Sequence, residues 1–223
     1  MPDNQNTNPQ ENQTIDLNLT RADFLNSIIK DRKSIFPYQY EKGKRVPDEI
    51  IWQILENANR APNHKQTEPW RFSVLTGEAL QQFGELQQKL YKENSGAAFT
   101  EEKYQRLLDY PLMSSHVISI GMKRSEKNLP ETEEIAAVAC AVENMYLSVT
   151  AYGLGSYWTT GGITYMEAAK PYFDLAPADK LLGFFYIGYM AKPSEIISKR
   201  NPIKEKVTWV DGVENKLIAS DLS

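Results

Sequence analysis

The chain has 223 residues, 41% hydrophobic and 24% charged, enough for one globular domain, or at most two small ones, with a sizeable core. Twenty-five basic against twenty-nine acidic residues leave a formal charge of -4, without the positive excess that a nucleic-acid backbone attracts. The longest nearly uninterrupted apolar run, 181–191, is too short for the roughly 20 residues that cross a bilayer. The single cysteine, Cys140, excludes an internal disulfide and a thiolate-rich zinc site.

Residues 1–20 are dominated by Asn, Gln, Pro and Thr and are expected to form a flexible polar extension, because they offer too little apolar surface to offset the entropy of ordering. They carry neither the basic start nor the apolar stretch of a secretory signal, so a cytoplasmic location is expected. The folded domain is then 21–223. Leu25, Ile28 and Ile29 recur at helical spacing over 21–32, with Thr20 and Asp23 placed as a reciprocal cap. A second helix follows Pro47 and ends near Arg60, stopped by Pro62. Strand 70–75 lies between Pro69 and Gly77, and a helix follows over 78–91. Residues 117–122 and 181–189 read as further strands, rich in branched and aromatic side chains. Between them, 133–152 is small and apolar nearly all round, the mark of a helix buried on most faces. Gly153 and Gly155 close it, and 156–160 form a short strand. Strands and helices without a regular βαβ beat point to an α+β layer fold.

Familiar catalytic sets are hard to assemble. The histidines are His64 and His116, no GxSxG or HExxH occurs, and the glycines of 153–155 follow a helix and lack the third member of a dinucleotide fingerprint. Hydrolysis by triad or zinc and a Rossmann site are therefore disfavoured, and no metal site is expected. His116, just before a strand, and Cys140, within the apolar helix, are assigned to core packing.

Three polar clusters remain. Arg32, Lys33 and Ser34 put two cations and a hydroxyl at the end of the first helix, a set able to clamp a phosphate; a basic helix terminus opposing the macrodipole explains them as well. The segment 60–70, RAPNHKQTEPW, presents donors and acceptors between two prolines, or is simply a surface turn around a buried Trp70. In 155–162, GSYWTTGG, glycines would let backbone approach a planar ligand on which Trp158 could stack; a helix stop followed by a strand is the alternative.

Taken together, the basic-Ser element after the first helix, the RAP…PW.F loop, the Ala-rich helix ending in GLGS.W and the late GF.YIGY strand resemble the FMN-dependent nitroreductase family. The resemblance spans about 21–210 and is nearest to small bacterial NAD(P)H nitroreductases. It implies an α+β fold with a mixed, mostly antiparallel sheet surrounded by helices. It also implies a homodimer with two FMN molecules at the subunit interface, each site built from both chains. By position, Arg32, Lys33 and Ser34 would hold the phosphate and ribityl chain, and Arg60 and His64 would reach the cofactor from the proline-framed loop. Gln66 stands where several members have Asn and joins that set. Trp158, Thr159 and Thr160 would lie against the flavin, and Lys199 and Arg200 would add phosphate ligands after the last strand. The implied activity passes a hydride from NADH or NADPH through the flavin to a nitroaromatic or quinone-like acceptor in ping-pong turnover. It needs no side-chain nucleophile, only donors near flavin N1 and O2 where charge develops. Two alternatives remain open: a same-fold dehalogenating or flavin-destroying enzyme, and a flavin-binding dimeric module without turnover. NAD(P)H-dependent bleaching of bound flavin excludes the second.

Overall fold

A reciprocal cap opens the fold. In the computed structural model, which describes residues 20–196 and 198–210, the Thr20 hydroxyl accepts the Asp23 N–H at 3.2 Å and Asp23 Oδ2 accepts the Thr20 N–H at 3.0 Å, starting α1 (Arg21–Asp31). Apart from Thr20, the polar extension expected over 1–20 lies outside the described residues. α2 (Asp48–Ala58) follows Pro47, which sits one position outside the helix rather than at its first residue. β1 (Trp70–Leu75) keeps its expected bounds, and α3 (Glu78–Asn94) runs past residue 91. α4 (Glu101–Leu112) is a helix that the sequence reading lacked; the Thr100 side chain accepts the Lys103 N–H at 3.3 Å to start it. β2 (His116–Met122), α5 (Glu131–Ala151), β3 (Leu154–Thr159) and β4 (Lys180–Tyr189) complete the framework.

The strands lie in the order β1-β2-β4-β3, and every neighbouring pair among the described residues is antiparallel. Both faces of this sheet are covered, which explains why β2 and β4 read as continuous apolar runs. Alternate side chains point to opposite cores. Phe185 and Ile187 join Ile54, Met145 and Ile118 on the α2–α5 side, whereas Phe184 and Tyr186 join Phe83, Val117 and Phe173 on the α3 side. Each fully buried Ile or Phe contributes about 1.5–3 kcal/mol of transfer free energy. Among the described residues no helix is long and apolar enough to cross a membrane.

Gly155 and Gly188 face each other across β3 and β4, and the Tyr40 ring lies against both. A Cβ at either position would come within 2.9 Å and 2.5 Å of that ring, respectively. The ring packed on Gly155 is thus the protein's own.

Candidate functional site

Arg32 caps the C-terminus of α1, its N–H donating to the Ile28 carbonyl. Its guanidinium lies 5.2 Å from the centroid of the Tyr146 ring on α5, with Nε 3.9 Å from Glu143 Oε1, and its side chain is 19% exposed. The Tyr146 hydroxyl accepts the main-chain N–H of Trp158 at 2.7 Å. Burial holds this phenol above its ordinary pKa, so it keeps its proton at neutral pH. Arg32 and Trp158 therefore converge on Tyr146, one on its ring and the other on its hydroxyl. Tyr146 was missed from sequence because an isolated Tyr on an Ala-rich helix reads as core.

Lys33 turns away from that cluster. Its Nζ donates to the carbonyls of Ser194 at 3.2 Å and Ile196 at 3.4 Å, tying the chain beyond β4 to the end of α1. Lys199 and Arg200 follow on that tied segment; both are exposed, and Arg200 donates to the Lys199 carbonyl.

The Trp158 indole donates to the Leu182 carbonyl at 3.1 Å and crosses Gly183 of β4, where φ is +127°. A Cβ on Gly183 would sit 2.7 Å from that indole nitrogen and 2.2 Å from the Thr159 carbonyl oxygen, so glycine is obligatory there. Beyond Trp158, residues Thr159 to Gly162 form one wall of a cavity of about 560 Å³. Tyr157, Phe36 and Tyr186 supply aromatic surface, the rings of Phe36 and Tyr157 being 4.5 Å apart. α4 also lines it, contributing Lys103 and Arg106. Arg106 is 3.4 Å from the exposed Glu102, and Lys103 lies over the Tyr91 ring. These two cations are site candidates that sequence reasoning missed along with their helix. Thr100, the acidic first turn and Leu107 and Leu108 were the signal that could have found it.

The 60–70 loop is built differently. Trp70 is buried and donates to Asn59 Oδ1 at 2.9 Å, and Asn63 Oδ1 accepts the Glu68 N–H. Lys65, Gln66 and Glu68 all have positive φ (52°, 53° and 43°), a region costly for residues with a Cβ. Arg60 and Gln66 are exposed. His64 Nδ1 lies 2.6 Å from Glu133 Oε2, with the side chains 54% and 42% exposed, and Lys127 donates to the Lys65 carbonyl at 2.6 Å.

Glu133 is in the first turn of α5 and Tyr146 near its end, so the two groups are separated along the helix by 13 residues, or about 20 Å. Within one chain the expected residues thus form two clusters rather than one. Between them, Ala136, Cys140 and Glu143 are exposed. This corrects the expectation that α5 is buried on most faces and that Cys140 packs in the core: at 100° per residue Cys140 falls opposite Val138, Val142 and Met145, which do face the core. α1 has no buried residue, and Phe24, Leu25 and Ile29 are about half exposed.

Ser115, His116 and Asp48 also line up, with Ser115 Oγ 2.9 Å from His116 Nδ1 and Asp48 Oδ1 3.2 Å from Nε2. The imidazole is 1% exposed and Ser115 Oγ already accepts the Val46 N–H at 2.7 Å, so this set is structural.

Comparison with known proteins gives the same relationship at every level. A Bacillus subtilis (strain 168) protein named "Putative NAD(P)H nitroreductase YfhC" is 28% identical over 184 residues, covering 82% of this chain and 93% of that protein. A crystal structure of a nitroreductase-like family protein from Bacillus cereus superposes with a TM-score of 0.70 at 29% identity, covering 84% and 96% of the two chains. A Desulfovibrio desulfuricans structure in complex with FMN has a TM-score of 0.62 at 25% identity, covering 84% and 97%. The family model described as the nitroreductase family matches residues 29–189, well over half of the sequence, and the chain belongs to that family of oxidoreductases.

Proposed function

We propose that the protein is an FMN-dependent NAD(P)H oxidoreductase of the cytoplasm, acting as a homodimer on nitroaromatic or quinone-like acceptors. The observation that carries this reading is the convergence of Arg32 and Trp158 on Tyr146, with Ser34 two residues beyond Arg32 and the Arg60–His64 cluster at the other end of α5. A second copy with its α5 antiparallel to this one would bring His64 of the partner subunit toward Arg32 and Ser34. It would also cover Ala136, Cys140 and the apolar side chains of α1, an exposed area typical of an interface rather than of a monomer. The FMN complex of the Desulfovibrio desulfuricans relative and the name of the Bacillus subtilis relative support the choice of cofactor and reductant.

The donor set fits FMN. A half-buried guanidinium fork beside a hydroxyl suits a phosphate dianion, and the cavity next to Thr159 and Thr160 is roomy enough, and aromatic enough, for a planar ring system. Phe36, two residues beyond Ser34, belongs to that cavity, linking the phosphate side to the ring side. FMN, when bound, supplies the two-electron chemistry that links NAD(P)H oxidation to acceptor reduction in alternating turnover. Arg32 and Ser34 grip the phosphate, with Lys33, Lys199 and Arg200 adding positive charge nearby. Trp158, Thr159 and Thr160 form the floor, and Arg60, His64 and Gln66 of the partner subunit close the site. Lys103 and Arg106 set a positive potential along the cavity, favouring negative charge there.

The test is direct: purified protein should be yellow, elute as a dimer by light scattering, and bleach anaerobically with NADH or NADPH. Colourless protein that takes up no added FMN would end the reading.

A further inference from the structure

We propose that Lys103 and Arg106 select the electron acceptor: the cavity takes planar aromatic compounds that carry a carboxylate, and Arg106 is the fork that reads it. This inference rests on the reading that FMN binds on the Trp158–Thr160 side of the same cavity, which leaves α4 to meet the second ligand.

α4 divides its faces. Lys103, Arg106, Leu107 and Tyr110 recur at i, i+3, i+4 and i+7, one stripe of the helix, and all of them line the cavity. The intervening positions are held by α3. Gln88 Nε2 donates to the Tyr104 carbonyl at 3.1 Å, and a Cβ on Gly84 would lie 2.7 Å from Leu108 Cδ1. Pro111 has no N–H to offer the Leu107 carbonyl, and the buried Gln87 fills that place, its Nε2 donating at 2.9 Å. Leu107 in turn reaches the Thr159–Gly162 segment, where a Cβ on Gly162 would come within 3.0 Å of Leu107 Cδ2. The cationic stripe is therefore fixed beside that segment.

Packing alone asks little of these two cations. Arg106 meets Glu102, a carboxylate 88% exposed, and such a pair contributes little in water. Lys103 rests its ammonium 4.7 Å from the centroid of the Tyr91 ring, which holds the charge without neutralising it. None of the described residues lining the cavity is acidic, in a chain whose formal charge is -4. Aromatic surface from Phe36 and Tyr157 suits a planar ring, and the planar guanidinium matches a carboxylate through two parallel hydrogen bonds.

In the experiment, flavin-loaded oxidised protein is titrated with para-nitrobenzoate and with para-nitrobenzamide, its neutral isostere, following flavin absorbance. The carboxylate should bind at least about tenfold more tightly, and Arg106→Gln should bring that ratio below about threefold, with Lys103→Gln acting in the same direction. Arg106→Lys, which keeps the charge without the fork, should fall between. Sodium chloride at about 0.5 M should shrink the wild-type ratio. A wild-type ratio near one, or a ratio that survives Arg106→Gln, would overturn the proposal. So would an equal loss of NADP+ affinity in that variant, which would assign the cations to nucleotide phosphates. Flavin content and melting temperature separate a folding defect from a binding defect. Wild-type protein that takes up no FMN would overturn the cofactor reading and this inference together, whereas flavin-loaded protein that does not distinguish the two nitroaromatics overturns this inference alone.

Discussion

The two halves of the candidate site are held in opposite ways. Around Tyr146, the Arg32 guanidinium just after α1, the phenol of α5 and the main chain of β3 meet against the core, and the conformational demand falls on glycine at Gly183. In the Arg60–Glu68 loop three non-glycine residues sit at positive φ, and His64 meets Glu133 in the open. Such strain, about 1–2 kcal/mol per residue, persists only where the surroundings impose it. Here they do so through Trp70 on Asn59, Asn63 on Glu68 and Lys127 on Lys65. The first half is organised by its own chain before any ligand arrives; the second is a preset loop that waits for something to close against it.

That contrast can be broken most sharply in the binding energy. Replacing both Arg32 and Ser34 by Ala removes two charge-assisted phosphate contacts, each worth about 1.5–3 kcal/mol, and should weaken FMN more than a hundredfold. His64→Ala removes one exposed contact and should weaken it about fivefold while leaving the apoprotein's stability within about 0.5 kcal/mol. Fluorescence titration and urea unfolding measure both. If His64→Ala costs as much FMN affinity as the double variant, the organised half is not the one that carries the grip.

Next in size is the support under Trp158. Gly183→Ala would push a methyl onto the Thr159 carbonyl and the indole, at a φ that L-residues avoid. We expect a loss of about 2–4 kcal/mol of stability and a shift in the fluorescence of Trp158. An unchanged unfolding midpoint would mean that the β3–β4 pair yields freely and that Trp158 is less fixed than its contacts indicate.

Much of this was legible in the sequence for identifiable reasons. The Thr20–Asp23 cap, the proline and glycine brackets of β1 and the doubly covered β2 and β4 each state their environment locally. α4 was not legible at first pass, because Glu101, Glu102, Lys103 and Arg106 mask its few apolar positions and Pro111 lies in its last turn. With it went the two cations of the cavity wall. The apolar character of α5 was readable, but not whether its exposed stripe through Ala136 and Cys140 meets this chain or another. Composition records that a surface avoids water without saying what covers it. The place of Tyr146 needed coordinates, since it depends on which segments meet at its ring and hydroxyl.

The smallest expected effect sharpens the comparison from a third region, where a buried polar group serves no ligand. His116 is pushed below its ordinary pKa by burial, an effect only partly opposed by its hydrogen bond to Asp48. The unfolded chain therefore takes up the proton first as pH falls through about 6.5, and the stability present above that value declines until the folded protein protonates too. Asp48, held below its usual carboxylate range by Arg45 and then by His116, acts in a separate window, losing its contribution only as pH falls below about 3.8. Urea midpoints should therefore drop gently from pH 7.5 to pH 5.5, and His116→Gln should flatten that slope even if it lowers the whole curve. A slope that survives the substitution would show that His116 does not carry the pH dependence of the organised core.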